Sequence, residues 1–248
     1  MFKLTFDDAR FFKGCIDALV SLIDEGEFEV GKNGMALRAM DTAQIAMVDF
    51  MMPKETFKEA DADKEHRIGL NIENLSRVMS RTRQGEALTV TLDDSGNRLV
   101  LIFKGKGRRT VSIPLLDLNL VETKEPNIPF DSTVKIDSNS LKEGLKDAAL
   151  VSSYVILSVK DNMFVIEARG DNGEVKNELT VEDGSLISVD LKDSSRAMFP
   201  LDYLNDILKG APSDSVVTLE LKSDAPLRLS YKIQDAKFRY YLAPRIEG

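Results

Sequence analysis

The chain contains one cysteine and one histidine in 248 residues. Cys15 alone excludes an intramolecular disulfide and a structural zinc held by four thiolates, and it points to a reducing, intracellular setting. His66 alone excludes a metal held by several histidines and leaves no good Ser-His-Asp triad. Long apolar runs are also missing, so no segment reads as a bilayer-spanning helix. The opening MFKLTFDD lacks the apolar core of a signal peptide and reads instead as a strand that enters the fold at once. No tail is of low complexity. Positive charge is scarce: 33 Lys and Arg stand against 41 Asp and Glu, a net charge of -8. On composition alone this argues against a simple nucleic-acid binder.

What remains is an ordinary globular composition, 43% hydrophobic and 30% charged. The length suits two domains, each with its own core. A repeat supports that division. Phe6, Asp7, Phe11, Gly14, Asp17 and Ala18 return 130 positions later as Ile136, Asp137, Leu141, Gly144, Asp147 and Ala148. Leu75, Val78 and Met79 return 129 positions later as Leu204, Ile207 and Leu208, as does Thr89–Leu92 at Thr218–Leu221. Leu99–Phe103 returns 128 positions later at Leu227–Tyr231. Domains are therefore expected at 1–117 and 134–248, joined by a connector at 118–133. In the segment 117–133, Pro126 and Pro129 rule out a helix, and Asn127 and Asp131 add turn character. Leu118, Leu120, Val121, Ile128 and Phe130 make it too apolar for a free spacer, so it is expected to lie on a surface.

Alternation of Phe2, Leu4 and Phe6 gives a first strand. Asp7 or Asp8 caps a helix through Ile23, with Phe11, Phe12, Cys15, Ile16, Leu19 and Ile23 inward. Cys15 is thus core filler. Strands follow at 27–30, 35–40 and 45–52, with a hairpin turn at Gly31–Gly34. Residues 61–65 resemble a calcium loop, but His66 holds the place of the required glycine, so they read as a solvated loop with His66 on the surface. A second helix is expected over 71–81, strands over 88–92, 98–103 and 110–115, and a basic hairpin at Lys104–Gly107 that lacks P-loop spacing. The second half repeats this plan, with helices at 140–151 and 201–209. Antiparallel strands with two helices per half make the fold class α+β.

No catalytic constellation emerges. Asp93-Asp94 precedes Ser95-Gly96 in a turn, where aspartate bonds locally, and Arg169–Gly173 is another turn. The chain reads as a binding or structural protein without a cofactor. The informative feature is charge on the helices. Lys142 and Lys146, Glu143 and Asp147, and Arg77 and Arg81 form like-charge pairs at i,i+4 spacing. Either chance or an opposite charge outside each helix accounts for them. With Arg10, Lys13 and Lys209, every helix carries basic residues, so an acidic chain presents one surface suited to a polyanion.

FKLTFDDARFFKGCIDALVSLI, GMALRAMDTAQIAMVDF, PLDYLNDILKGAP and YYLAPRIE occur in that order and span the whole chain. Together they resemble the proliferating cell nuclear antigen family of sliding clamps, and the short ending resembles the archaeal type. The resemblance implies a ring of three subunits joined head to tail around duplex DNA, with helices lining the hole, sheets outside, and no catalysis. It places DNA-facing positions at Lys13, Arg77, Arg81, Lys146 and Lys209, to which helix phase adds Arg10, Arg83 and Lys142. Glu143 is acidic where some relatives are basic. The partner groove falls on Met40, Gln44, Ile45, Met47, Ile128, Pro129, Pro226, Tyr241, Ala243, Pro244 and Ile246, with Pro126 replacing a common aliphatic residue. Implied partners are DNA polymerase, flap endonuclease, DNA ligase and the clamp loader, held through short motifs. The location implied is the cytoplasm with its nucleoid for an archaeal chain, or the nucleus for a eukaryotic one. A monomeric two-domain protein-binding scaffold is the competing reading, and a clamp closed by different chains is another.

For ring closure, the edge strand at 108–115 of one chain is expected to pair with the edge strand at 174–181 of the next. The residues involved are Arg108, Arg109, Thr110, Val111, Ser112 and Ile113 on one side, and Val175, Lys176, Asn177, Glu178 and Leu179 on the other. Arg81, Arg83 and Arg109 are expected to face Glu143 and Asp147 across this contact.

Overall fold

The computed structural model describes residues 1–93, 95–118 and 123–246. Of the residues discussed above, Asp94, Leu120, Val121 and the final glutamate of YYLAPRIE, Glu247, lie outside this description. The chain divides into two compact units. Unit 1 comprises Met1–Gln44, Val48–Lys124 and Ile233–Phe238. Unit 2 comprises Ile45–Met47, Glu125–Lys232 and Arg239–Gly248. The connector expected at 118–133 is thus shared, up to Lys124 with the first unit and from Glu125 with the second.

Unit 1 contains β1 (Phe2–Phe6), α1 (Ala9–Val20), β2 (Glu25–Gly31), β3 (Gly34–Met40), β4 (Ala46–Pro53), a 3-10 turn (Lys54–Thr56) and β5 (Glu59–Ala62). It continues with β6 (His66–Asn71), α2 (Ile72–Met79), β7 (Ala87–Leu92), β8 (Arg98–Lys104) and β9 (Arg108–Pro114). Its strands run β5-β1-β7-β8-β9 and β4-β3-β2-β6, with β1 antiparallel to β5 and β7, β8 to β7 and β9, and β2 to β3 and β6. Unit 2 contains β10 (Ser132–Asp137), α3 (Ser138–Ala149), β11 (Tyr154–Lys160), β12 (Met163–Gly170), β13 (Gly173–Leu179), β14 (Ser188–Leu191) and β15 (Ser195–Pro200). It ends with α4 (Leu201–Lys209), β16 (Val216–Leu221), β17 (Leu227–Ile233) and β18 (Ala236–Leu242), although Ile233 and Ala236–Phe238 count with unit 1, and Ala46 and Met47 of β4 with unit 2. Here the orders are β14-β10-β16-β17-β18 and β13-β12-β11-β15.

The two orders superpose strand for strand, so the repeat runs far deeper than its residues suggest. A shift of 129 carries the start of β2 to β11, β3 to β12, β5 to β14, β6 to β15, α2 to α4 and β7 to β16. It also carries α1 to α3, which corrects the 130-residue alignment of those helices. Buried Phe12, Cys15, Ile16 and Leu19 correspond to buried Leu141, Gly144, Leu145 and Ala148. The strand before them keeps the shift of 130, Leu4 to Val134 and Phe6 to Ile136, so Asp7 is one extra residue. Asp8 then caps α1 through the Arg10 amide, as Asp137 caps α3 through Asn139 and Ser140. At the Cys15 position the second repeat has Gly144, where an added Cβ would stand 2.7 Å from Ile166 Cδ1, so α3 packs closely on β12. Burial pushes the Cys15 thiol pKa up, which leaves it an inert part of the core.

Helix boundaries are tighter than periodicity suggests. α1 ends at Val20, where the Leu22 amide bonds the Leu19 carbonyl in a tighter i→i−3 turn, although Ile23 stays buried. α2 stops at Met79, so Arg81 lies in the following loop and does not share a helix face with Arg77. α3 starts at Ser138, two residues early, and ends at Ala149. The supposed loop at 61–65 is partly strand β5, since Asp61 and Ala62 pair with Lys3 and Phe2. His66 opens β6 and is not a surface residue. Its side chain is 10% exposed, packs edge-on against Phe2 and has Nε2 2.6 Å from Asp63 Oδ1. The connector begins on unit 1's surface, where the Leu116 amide bonds the Gly69 carbonyl at 2.8 Å.

Candidate nucleic-acid, partner and subunit interfaces

Each helix displays its cations beside an acid. Arg10 pairs with Asp8, Lys13 with Asp17, Arg77 with Glu73, Lys146 with Glu143 and Lys209 with Asp206. The Arg10 guanidinium holds the Asp8 carboxyl below its ordinary range. Lys142, the repeat equivalent of Lys13, donates to the Ala211 carbonyl at 2.7 Å. Burial, with Lys146 nearby, lowers its pKa. Glu143 and Asp147 therefore do not form an unanswered acidic stripe: Lys146 meets the first, and Asn177 Nδ2 donates to the second at 3.2 Å. Arg81 and Arg83 sit exposed in the α2–β7 loop, and neither side chain has an ion-pair partner among the described residues.

Arg109 is the second departure from expectation. Its Nη2 bonds the Glu86 carboxylate at 3.1 Å and the Arg81 carbonyl at 3.2 Å. The guanidinium lies 4.1 Å from the centroid of the Phe103 ring. Within its own chain it thus spans the α2–β7 loop and β8.

The partner-groove residues separate into surface and support. Unit 1 presents Met40 at the end of β3 and Gln44 in the turn after it. The Gln44 amide bonds the Asp41 carbonyl at 3.0 Å, and Gln44 takes a left-handed φ of 58° that keeps it exposed. Within unit 2, the Ala243 amide bonds the Ile45 carbonyl at 2.9 Å, which joins two of the expected residues. Ile128, Pro129, Pro226, Pro244 and Ile246 all retain exposure. Met47 and Tyr241 do not: at 2% and 3% exposed they belong to the core. Both sit out of phase with the residues that pack the core, Val48, Phe50 and Met52 on β4 and Phe238 and Tyr240 on β18, so they are covered from the other face of their strands.

Tyr241 acts as a support. Its hydroxyl donates to Glu125, which also receives Arg239, and Arg228 spans Glu220, Tyr241 and the face of Phe130. Burial raises the Tyr241 pKa, and the Glu125 carboxylate adds to that. At the other end of this strap, Lys222 holds Asp131 at 3.1 Å. The charges thus pin residues 125 and 131 and leave Ile128 half-buried and Pro129 exposed between them. Sequence reading missed Arg228 and Glu220, yet they are direct cross-strand neighbours of opposite charge on β16 and β17, a signal that was available.

β9 and β13 are sheet edges, as expected, although they end at Pro114 and Leu179. The Leu115 amide bonds Asn97 and the Gly105 amide bonds Gly107. Antiparallel alternation between these two points turns the backbone groups of Thr110 and Ser112 away from β8. Both side chains are exposed. On β13 the two-residue turn between Gly170 and Gly173 fixes the same alternation, which leaves Glu174, Lys176 and Glu178 outward.

A duplicated α+β chain with open sheet edges, helix cations and an apolar strap defines a class: a binding scaffold that works through surfaces. The family model described as "Proliferating cell nuclear antigen, N-terminal domain" matches residues 1–125, and that for the C-terminal domain matches 124–246. The chain belongs to the proliferating cell nuclear antigen family, in its archaeal type. A DNA polymerase sliding clamp of Methanococcus maripaludis is 35% identical over 252 residues, covering 100% of both chains. That of Thermococcus gammatolerans is 32% identical over 247 residues, covering 99% of each. Among solved structures, the Thermococcus kodakaraensis protein superposes with a TM-score of 0.94 at 27% identity, covering 99% of this chain and 100% of that one. The A. fulgidus protein, solved with the C-terminal region of FEN-1, gives a TM-score of 0.91 at 26% identity over 100% of both chains.

Proposed function

We propose that this chain is a DNA polymerase sliding clamp, a subunit of a three-membered ring that encircles duplex DNA without reading its sequence. It tethers replication and repair enzymes, among them polymerase, flap endonuclease, ligase and clamp loader. The observation that carries this reading is the family match along both repeated domains. The ring does no chemistry of its own and works in the cytoplasm, on DNA. Its hold on DNA is topological, since a chain of net charge -8 is poorly suited to tight groove contact and shows no base-reading array. The test is retention after loading. The clamp is expected to stay on closed circular DNA and to run off the same DNA once it is cut. Equal loss from both forms, with a monomer mass by light scattering, would favour the two-domain scaffold instead.

Subunits close head to tail through β9 and β13, with residues 108–113 on one chain and 175–179 on the next. Closure covers both open edges. Backbone pairing supplies most of this contact. Arg83 remains available to face a neighbour's acids, whereas Arg109, Glu143 and Asp147 already have partners within their own chain.

The strap between residues 125 and 131 is the partner site. Ile128 is its apolar anchor point, with Pro129, Pro244 and Ile246 beside it in the groove the resemblance implies. A few anchors dominate binding of short motifs. Ile128→Ala is expected to weaken a flap-endonuclease tail peptide by roughly 10-fold in calorimetry, about 1.4 kcal/mol, while the mass of the ring stays unchanged. Unaltered affinity in that variant would move the site away from the strap.

A further inference from the structure

The strap from residue 125 to residue 131 is held by side chains and by its own stiffness rather than by a ladder. Among the described residues, none from 126 to 130 takes part in a backbone–backbone hydrogen bond. Both ends are nevertheless fixed. At the far end the Asp131 amide bonds the Leu221 carbonyl at 2.9 Å, and the Asp131 carbonyl accepts from the Lys192 and Asp193 amides at 2.9 and 3.2 Å. At the near end the Glu125 carboxylate accepts from Arg239 and from the Tyr241 hydroxyl. Arg228 Nη1 stands 3.5 Å from that hydroxyl, and the same guanidinium pairs with Glu220 and lies 4.8 Å from the centroid of the Phe130 ring. One line of polar contacts therefore runs from β16 across β17 and β18 to the strap, through Glu220, Arg228, Tyr241 and Glu125. Between the two ends, Pro126 and Pro129 lock their own φ. Each also confines the residue before it, Glu125 and Ile128, to extended backbone. Of the described residues from 125 to 131, Asn127 alone has none of these restraints.

We propose that Glu125, Arg228 and Arg239 are positioning residues for the partner site. They hold the strap in the shape that a partner meets, so the ordering cost of docking falls on the partner's flexible tail alone. The inference rests on the reading of the strap as the partner site. It adds that affinity depends on a clamp distinct from the apolar anchor. A strap that spends only a fraction of its time in the binding shape binds more weakly by that fraction. Releasing the backbone of a single residue is enough for roughly a 10-fold loss.

The test uses the intact ring. Cys15 is fully buried, so Asn127→Cys supplies one exposed thiol for a nitroxide label, at the residue the clamp leaves alone. With no peptide present, the electron-spin-resonance spectrum is expected to be broad in the labelled ring and to sharpen when Glu125→Ala is added. Glu125→Gln keeps an acceptor for Arg239 and Tyr241 and is expected to restore the broad spectrum. Calorimetry of unlabelled rings with a flap-endonuclease tail peptide is expected to show about a 10-fold loss of affinity for Glu125→Ala and less than about 3-fold for Glu125→Gln. A sharp spectrum in the absence of Glu125→Ala, or one that Glu125→Ala leaves unchanged, overturns the proposal, because this clamp then does not set the strap. A sharpened spectrum with unchanged peptide affinity overturns it as well. Unaltered affinity in Ile128→Ala is a separate failure. It removes the partner site from the strap and the positioning role with it, while the label still reports whether the clamp orders the strap.

Discussion

Ser112→Pro is expected to break the ring into single folded chains. Ser112 lies in the middle of the edge strand β9, with an exposed side chain and a backbone N–H turned away from β8. Proline there removes no bond from the chain's own ladder, and edge strands tolerate it. A neighbouring strand would lose that donor and meet the pyrrolidine ring. The cost is on the order of 3 kcal/mol per contact, roughly 100-fold in the dissociation constant, and a closed ring suffers it three times over. Ser112→Ala keeps the N–H and is expected to stay trimeric. Light scattering across a dilution series reads the result, with circular DNA retention as the functional counterpart. A proline variant that remains trimeric at nanomolar concentration would mean that β9 is not the closing edge.

The features legible in the sequence were those written in local patterns. Alternation at Phe2, Leu4 and Phe6 and helical spacing at Phe12, Ile16 and Leu19 each report a single face of a single element. The repeat was legible where both copies kept apolar residues at the same phase, as in Leu75 and Leu204. It was illegible where only topology persists. β5 and β14 occupy equivalent edges, but EADA and SVDL share only one identical residue, Asp61 and Asp190, which is too little to align them. A short exposed strand carries little burial signal, which is why 61–65 reads as a loop although Asp61 and Ala62 end β5.

The one-residue error in aligning α1 with α3 has a physical cause. Asp7-Asp8 offers two caps, and Gly14 happens to match Gly144 under the wrong choice. Only burial shows that Cys15 fills the place of Gly144. In the interfaces, residue type was visible but commitment was not. Met47 and Tyr241 look like exposed groove residues, and alternation does put both on the face opposite the core positions of β4 and β18, yet both are covered there. The pairing of Arg109 with Glu86, 23 positions away, depends on two turns meeting, and no spacing rule encodes that.

Arg109→Glu is expected to unfold unit 1 rather than to retune a subunit contact. The Glu86 side chain is 9% exposed and that of Arg109 30%, so the carboxylate has little recourse to water. Reversing Arg109 removes the Nη2 bond and places a second carboxylate beside the first. Breaking a buried pair from one side costs about 3–5 kcal/mol, and partial exposure of Arg109 argues for the lower end. About 3 kcal/mol corresponds to roughly 10 °C for a unit of this size. The melting curve should then separate into two steps, with unit 2 melting near its usual temperature, since the units no longer share one transition. Replacing both partners, Glu86→Met with Arg109→Met, removes the charge problem and is expected to cost no more than about 1 kcal/mol. This changes how a charge-swap across the subunit contact must be built. A compensating variant that includes Arg109→Glu would fail through the core, whatever the truth about the interface. Arg83→Glu alone tests the interface, because the Arg83 side chain is exposed and its link to Glu86 runs through the backbone amide. An Arg109→Glu protein that melts in one step within about 2 °C of wild type would show that Arg109 is not needed to neutralise Glu86, and Arg109 would then regain its place among the residues that can face a neighbour.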